Sequence, residues 1–155
     1  MSEIDLTKPY SIKAPIRFTH TDPAGFVFFP RYFEMFQAGV EDWFTNRLDT
    51  NFADMILIQC IGQPTAHIDC QFIKPCRLGE KLDLAIVLEK FGTSSLELRF
   101  LGTVEGDLRL RAHSIQVLID MKSGRPVPFP DNLRAQLEAY KTQVIPPENL
   151  IGEGR

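Results

Sequence analysis

Between Pro30 and about Leu48 large apolar side chains recur at helical spacing, and this stretch restricts the possible folds more than any other. At about 3.6 residues per turn, Phe29, Tyr32, Phe33, Phe36, Val40, Trp43 and Phe44 fall within an arc of roughly 120°. Arg31, Glu34, Gln37, Glu41 and Thr45 take the opposite arc, a solvated or subunit-facing stripe. Pro30 suits the first helical position, where its missing N–H costs nothing. So aromatic a stripe needs a broad apolar surface to lie on, and a sheet supplies one.

The rest of the chain offers that sheet. Residues 10–20, YSIKAPIRFTH, are rich in residues that suit a pleated surface, with Pro15 at a bend or an edge. Four more segments of strand length follow the helix, at 63–74, 80–91, 94–104 and about 108–120. Leu82, Leu84, Ile86 and Leu88 alternate with Asp83, Ala85, Val87 and Glu89, and Leu96, Leu98 and Phe100 alternate with Glu97 and Arg99. The turns between them are short and glycine-punctuated, as antiparallel neighbours require. In the last strand the apolar phase shifts between Leu110 and Ala112 and the later Ile115, Val117 and Ile119, which predicts a bulge. Residues 49–62 form a connection with room for a short helix over Phe52–Gln59. A second short helix is expected from Asn132 to about Thr142, before a polar stretch beyond Pro146 and Pro147. The expected architecture is α+β: an antiparallel five-stranded sheet wrapped around one long central helix.

The length of 155 residues suits a single domain over 1–155, with its core at about 10–122, rather than two. Hydrophobic residues at 44% and charged residues at 24% exclude collagen-like, disordered and membrane-embedded classes. A net charge of −3 gives no polyanion-binding surface, so no nucleic-acid partner is expected. The start, MSEIDLTKPY, reads as neither a secretory signal nor a transit peptide, and no apolar run reaches the roughly 18 residues of a bilayer span. A cytoplasmic protein without a membrane partner is therefore expected. Cys60, Cys70 and Cys76 are odd in number and lack the spacing of a zinc site, so they read as reduced thiols.

The loop before the helix, THTDPAG (19–25), is dense in turn formers, and Gly25 permits a positive φ. Asp22 there reads as a turn residue or as a carboxylate with work to do. His20, two residues away, shares a face with Asp22 if the backbone is extended; it is then either a tuning partner or a surface imidazole. His67 and His113 read as ordinary strand residues, since no third ligand is spaced to complete a metal site with them.

The segment RFTHTDPAGFVFFPRYFEMF is similar to the signature of the 4-hydroxybenzoyl-CoA thioesterase family of hotdog-fold enzymes, and IGQPTAHIDCQFIKPCRLGEKLDL resembles that family's second strand and the turn after it. The likeness covers about residues 10–122. It implies hydrolysis of an acyl-CoA thioester with no metal and no cofactor. It places the catalytic aspartate on Asp22, as nucleophile or as general base, and the oxyanion donor on the backbone N–H of Phe29. It also implies a substrate-binding surface from His20, Gly25, Phe26, Phe28 and Phe33, with an apolar or aromatic acyl group against the phenylalanines. Gln37 departs from the acid that many relatives carry. For the CoA phosphates the turn EKFGTSS offers only Lys90, with Lys74 and Arg77 at the preceding turn and Arg109 and Arg111 beyond. The expected assembly is a homodimer or homotetramer. Two alternatives stay open: an acyl-thioester hydratase or dehydratase on the same fold, for which no histidine motif is present, and a non-catalytic acyl-thioester or aromatic-ligand binder.

Overall fold

The computed structural model describes residues 4–148, so the first three residues and the end of the polar tail lie outside the described residues. In chain order the elements are β1 (Tyr10–Pro15), α1 (Pro30–Asn46), α2 (Phe52–Leu57), β2 (Ile61–Gly62), β3 (Thr65–Phe72), β4 (Lys81–Phe91), β5 (Ser95–Val104), β6 (Asp107–Val117), β7 (Ile119–Asp120) and α3 (Asp131–Gln143). Five strands form one antiparallel sheet in the order β1-β4-β5-β6-β3, while β2 and β7 form a separate two-stranded ribbon. β3 is thus an edge strand, separated from β4 in space although adjacent to it in sequence.

One face of this sheet is the core. Leu82, Leu84, Ile86 and Leu88 of β4 and Leu96, Leu98 and Phe100 of β5 are all buried, as their alternation requires. α1 lies on that face with Tyr32, Met35, Phe36, Gly39, Val40, Trp43 and Phe44 buried. The Phe36 ring stacks on Phe100 with centroids 4.7 Å apart and planes 14° from parallel. Phe29 departs from the expected stripe. It is 56% exposed, because it sits at the N-cap rather than in the first helical turn.

The single central helix of the sequence reading needs amending, because α3 is a second substantial helix of 13 residues. Its Leu133, Leu137 and Tyr140 are buried. The Tyr140 ring meets Trp43 edge-on at 5.1 Å. Its hydroxyl accepts from Tyr10 N at 2.8 Å and donates to Ile86 O, standing where β1 and β4 would otherwise pair directly. Burial pushes this phenol up to about 12.

Three strand expectations are corrected. The first strand stops at Pro15, not at residue 20; Ile16 N makes one further bond to Glu80 O, and Phe18–His20 then form a 3₁₀ turn. The last strand stops at Val117, because Leu118 turns into the core and Ile119–Asp120 pair with Ile61–Gly62 instead. The phase shift in β6 is not a bulge between Ala112 and Ile115, where pairing with β5 is regular. The slip falls earlier, where Gly102 pairs with Leu110 and Thr103 with Leu108. What changes along β6 is chemistry. Ser114 and Gln116 keep the core-facing parity of Leu110 and Ala112, and both are buried polar residues.

All three cysteines are free. No helix among the described residues is long and apolar enough to cross a membrane.

Candidate active site

The THTDPAG segment folds into a tight hairpin. Thr21 bridges Val27, Asp22 N donates to Phe26 O at 2.9 Å, and Phe28 N donates to His20 O at 2.8 Å. Pro23, Ala24 and Gly25 form its three-residue loop, closed by Gly25 N donating to Asp22 O. Gly25 has φ +85°, the left-handed position at which a loop of this length uses glycine. Asp22 does turn work with one carboxylate oxygen only: Oδ1 accepts from Ala24 N at 2.9 Å and from Phe26 N at 3.4 Å. Oδ2 has no partner among the described residues, so the turn aims the carboxylate and leaves half of it available.

The hairpin delivers the chain into α1 through Phe29 and Pro30. Four N–H groups at a helix start lack intrahelical partners. Here Pro30 has none to offer, Arg31 N donates to Phe28 O, and Tyr32 N donates to Phe29 O. The Phe29 N–H is the amide left at this entrance, with no acceptor among the described residues, at the positive end of a 17-residue helix.

A platform holds this pair of features in place. The segment joining β3 to β4 runs beneath the hairpin, with Val27 N donating to Cys76 O at 3.0 Å and Cys76 N donating to the Tyr32 hydroxyl at 3.2 Å. That segment is clamped by Arg109, whose guanidinium takes both oxygens of Glu80 at 2.9 Å and also reaches Pro75 O and Asp107. The hydrogen bond from Arg109 is the chief reason the Glu80 carboxyl titrates below its ordinary range. Arg109 is therefore committed to structure. Burial raises the Cys76 thiol, and it pushes Cys70 up to about 12, so neither is poised as a thiolate.

Two of the cavities along α1 face the sheet or the segment joining β3 to β4. The first, about 200 Å³, lies at the helix start between Val27, Phe29, Tyr32, Phe72, Lys74 and Pro75. The second, about 240 Å³, lies one to two turns further on, between Phe33, Phe36 and Phe100 on one side and Thr65, Ser114 and Gln116 on the other. Phe33 meets Phe36 edge-on at 5.6 Å. The Gln63 amide donates to Gln116 Oε1, while Gln63 Oε1 is buried without a partner.

The structure brings together much of the expected site, though not all of it. Asp22, Gly25, Phe29 and His20 share the hairpin. The His20 ring is held by Nδ1 accepting from Arg17 N at 2.9 Å, in a 3₁₀ turn rather than an extended strand. Phe26 carries the Arg77 guanidinium over its ring at 5.0 Å, Phe28 is half exposed against Phe29, and Phe33 lines the second cavity. Lys74 borders the first cavity while pairing with Asp107 at 3.1 Å. Lys90 stands apart. Along β4 it lies about 30 Å from the Arg77–Glu80 turn, and it pairs with Glu97 at 3.3 Å on the other face of the sheet. Ser114 and Gln116, which line the second cavity, are absent from the expected site; their signal in the sequence is two polar residues at core parity in β6, which reads there as a shift of phase.

The sheet order and the helix it cradles define a hotdog-type fold with a free amide at that helix's start. The family model of the thioesterase-like superfamily matches residues 16–137, and the chain belongs to that superfamily. A 1,4-dihydroxy-2-naphthoyl-CoA hydrolase of Nostoc punctiforme is 25% identical over 132 residues, covering 85% of this chain and 88% of the relative. Among solved structures, a gentisyl-coenzyme A thioesterase superposes with a TM-score of 0.76 at 21% identity, over 83% of this chain and 99% of that one. A Staphylococcus aureus protein in complex with CoA superposes with a TM-score of 0.83 at 14% identity, over 99% of each chain.

Proposed function

We propose that the protein hydrolyses acyl-CoA thioesters whose acyl group is aromatic and carries a hydrogen-bonding substituent. The observation that carries the reaction is the unpartnered Phe29 N–H at the start of α1, beside a hairpin that holds Asp22 by one oxygen and leaves the other free. The thioester carbonyl oxygen sits on the Phe29 amide, where developing negative charge meets a fixed donor and the helix dipole. Asp22 Oδ2 either attacks the carbonyl carbon, forming an acyl anhydride that a water then cleaves to release the acid, or takes a proton from the attacking water. In either case the water supplies the proton that the leaving thiolate takes up. The carbon–sulfur bond breaks and CoA leaves as its thiol. Lys74 borders the first cavity and Arg77 lies over Phe26 of the hairpin, and both suit the CoA phosphates.

The second cavity supports the acyl assignment. Phe33 and Phe36 stand roughly 6 and 10 Å along the helix axis from Phe29, within reach of a ring extending from the carbonyl. They give that ring two aromatic walls, and Ser114 and Gln116 give its far end hydrogen-bonding groups. The relatives named for dihydroxynaphthoyl-CoA and gentisyl-CoA act on acyl groups of this kind. A panel of benzoyl-, hydroxybenzoyl-, dihydroxynaphthoyl- and straight-chain acyl-CoAs, followed by free-thiol release, tests both parts. Hydroxyaryl substrates should lead, and Gln116→Leu should reduce their advantage over benzoyl-CoA about tenfold or more. No thiol release above the protein-free rate would make the protein a binder. An unchanged ratio in the variant would sink the specificity reading alone.

The site is also proposed to be completed by a second copy. β3 presents eight residues whose outer edge pairs with nothing among the described residues, and the exposed Phe72 and Ile73 continue it beside the first cavity. Edge-to-edge pairing there forms a homodimer, or a tetramer of two such dimers, and places the 19–29 loop of one copy near strands of the other. Light scattering at micromolar concentration should give at least twice the chain mass of 17.6 kDa, and a monomer that still turns over substrate would refute the shared site.

A further inference from the structure

We propose that the outer face of the sheet carries a zinc-type divalent metal site formed by His67, Asp69 and His113. His67 and Asp69 are two apart on β3 and so share a face, and Asp69 is the cross-strand partner of His113 on β6. The third ligand that no linear spacing reveals is thus supplied by strand pairing. His67 Nε2 lies 2.9 Å and His113 Nδ1 3.3 Å from the same carboxylate oxygen, Asp69 Oδ2. All three donor atoms lie within 4.8 Å of one another. Tetrahedral zinc with bonds of about 2.0–2.1 Å sets its ligand atoms about 3.3 Å apart, so small side-chain rotations bring this set around one ion. Two imidazole nitrogens and one carboxylate oxygen are a donor set that zinc accepts, with water at the fourth position.

The surroundings of His113 point the same way. Its other nitrogen, Nε2, lies 2.6 Å from Glu97 Oε1, and Glu97 is itself paired with Lys90. A metal-bound imidazole characteristically donates its remote N–H to a carboxylate, which fixes the ring and its tautomer. Both ring nitrogens of His113 therefore face carboxylate oxygens. An ion between Nδ1 and Asp69 fits this arrangement and leaves Nε2–H to donate to Glu97. Burial is graded to match. His113 and Glu97 are largely enclosed, whereas the His67 and Asp69 side chains are 55% and 64% exposed and leave a path from solvent. Ala112 and Ser114, the neighbours of His113, point to the core, so the ion sits across the sheet from Asp22 and the acyl cavity. Its effect is to tie the edge strand β3 to β6.

The test uses untagged protein stripped with a chelator and then titrated calorimetrically with zinc, with cobalt as a spectroscopic probe. One zinc per chain is expected, with a rise in melting temperature on loading and the visible absorption of four-coordinate cobalt. Asp69→Asn and His67→Ala change exposed side chains and should melt like the parent when metal-free, yet bind zinc at least about 100-fold more weakly. Glu97→Gln should weaken binding by about 10- to 100-fold through His113 alone. Zinc uptake that survives Asp69→Asn, uptake lost with Cys60→Ser instead, or no saturable uptake by the parent would each overturn the site.

Discussion

Replacing Asp22 with Asn should lower turnover of the best acyl-CoA at least about 10²-fold while leaving the fold and thioester binding intact. The structure makes this substitution discriminating. The two loop amides, Ala24 N and Phe26 N, bond to Oδ1, an oxygen that Asn retains, so the hairpin keeps its closure. What Asn removes is the negative charge on the side chain and the second oxygen, which has no structural partner. A residue serving only the turn would tolerate that exchange, and kcat/KM would stay within about threefold. A residue attacking the carbonyl or activating water would not, because an amide is neither nucleophile nor base here. Steady-state thiol release by both proteins, with matched thermal melts, gives the answer. If the variant keeps parental activity, the Phe29 amide is still a helix-start donor but the reaction has no assigned base.

How far the sequence foretold this site depends on whether each residue is local. Asp22, Gly25 and Phe29 lie within eight residues, and Asp-Pro-Ala-Gly before an amphipathic run with Pro at its head describes the hairpin and the helix start almost completely. The freedom of the Phe29 amide was less visible. It depends on where the Arg31 and Tyr32 amides close, which the fold decides. Ser114, Gln116 and Gln63 are remote from the motif, and nothing in their spacing joins them to it. Lys90 enters through the family's basic turn rather than through any local pattern, and its distance from Lys74 and Arg77 follows from the length of β4, near whose far end it stands. Likewise Asp69 and His113 are far apart in the chain and meet only through the register of β3 with β6.

The strands were legible because their alternation is written in each segment, and the errors fall where tertiary context interrupts it. β1 ends just past Pro15, where Ile16 N makes a last bond to Glu80 O and the chain enters the Phe18–His20 turn, and Leu118 ends β6 because the core takes its side chain. α3 reads as a short helix in sequence, but its weight in the fold is not apparent there, since the surroundings that bury Leu133, Leu137 and Tyr140 are remote in the chain.

Truncating Phe36 to Ala should destabilise the protein by about 3–5 kcal/mol. Phe36 is 3% exposed and lies between the stacked ring of Phe100 and the edge-on ring of Phe33. The void left by its ring cannot close easily. Phe100 belongs to a central strand hydrogen-bonded on both sides, and α1 is pinned at its other end by Trp43 against Tyr140. The void would instead join the cavity that Phe36 already borders, so the transfer loss and the cavity term add. Phe36→Leu keeps much of the apolar volume and should cost less than half as much. Because Phe36 also walls the proposed acyl cavity, activity cannot separate these effects; urea unfolding at matched slopes can. A loss below about 1 kcal/mol for Phe36→Ala would mean that α1 is not held against the sheet by this contact, and the concave face would need another anchor.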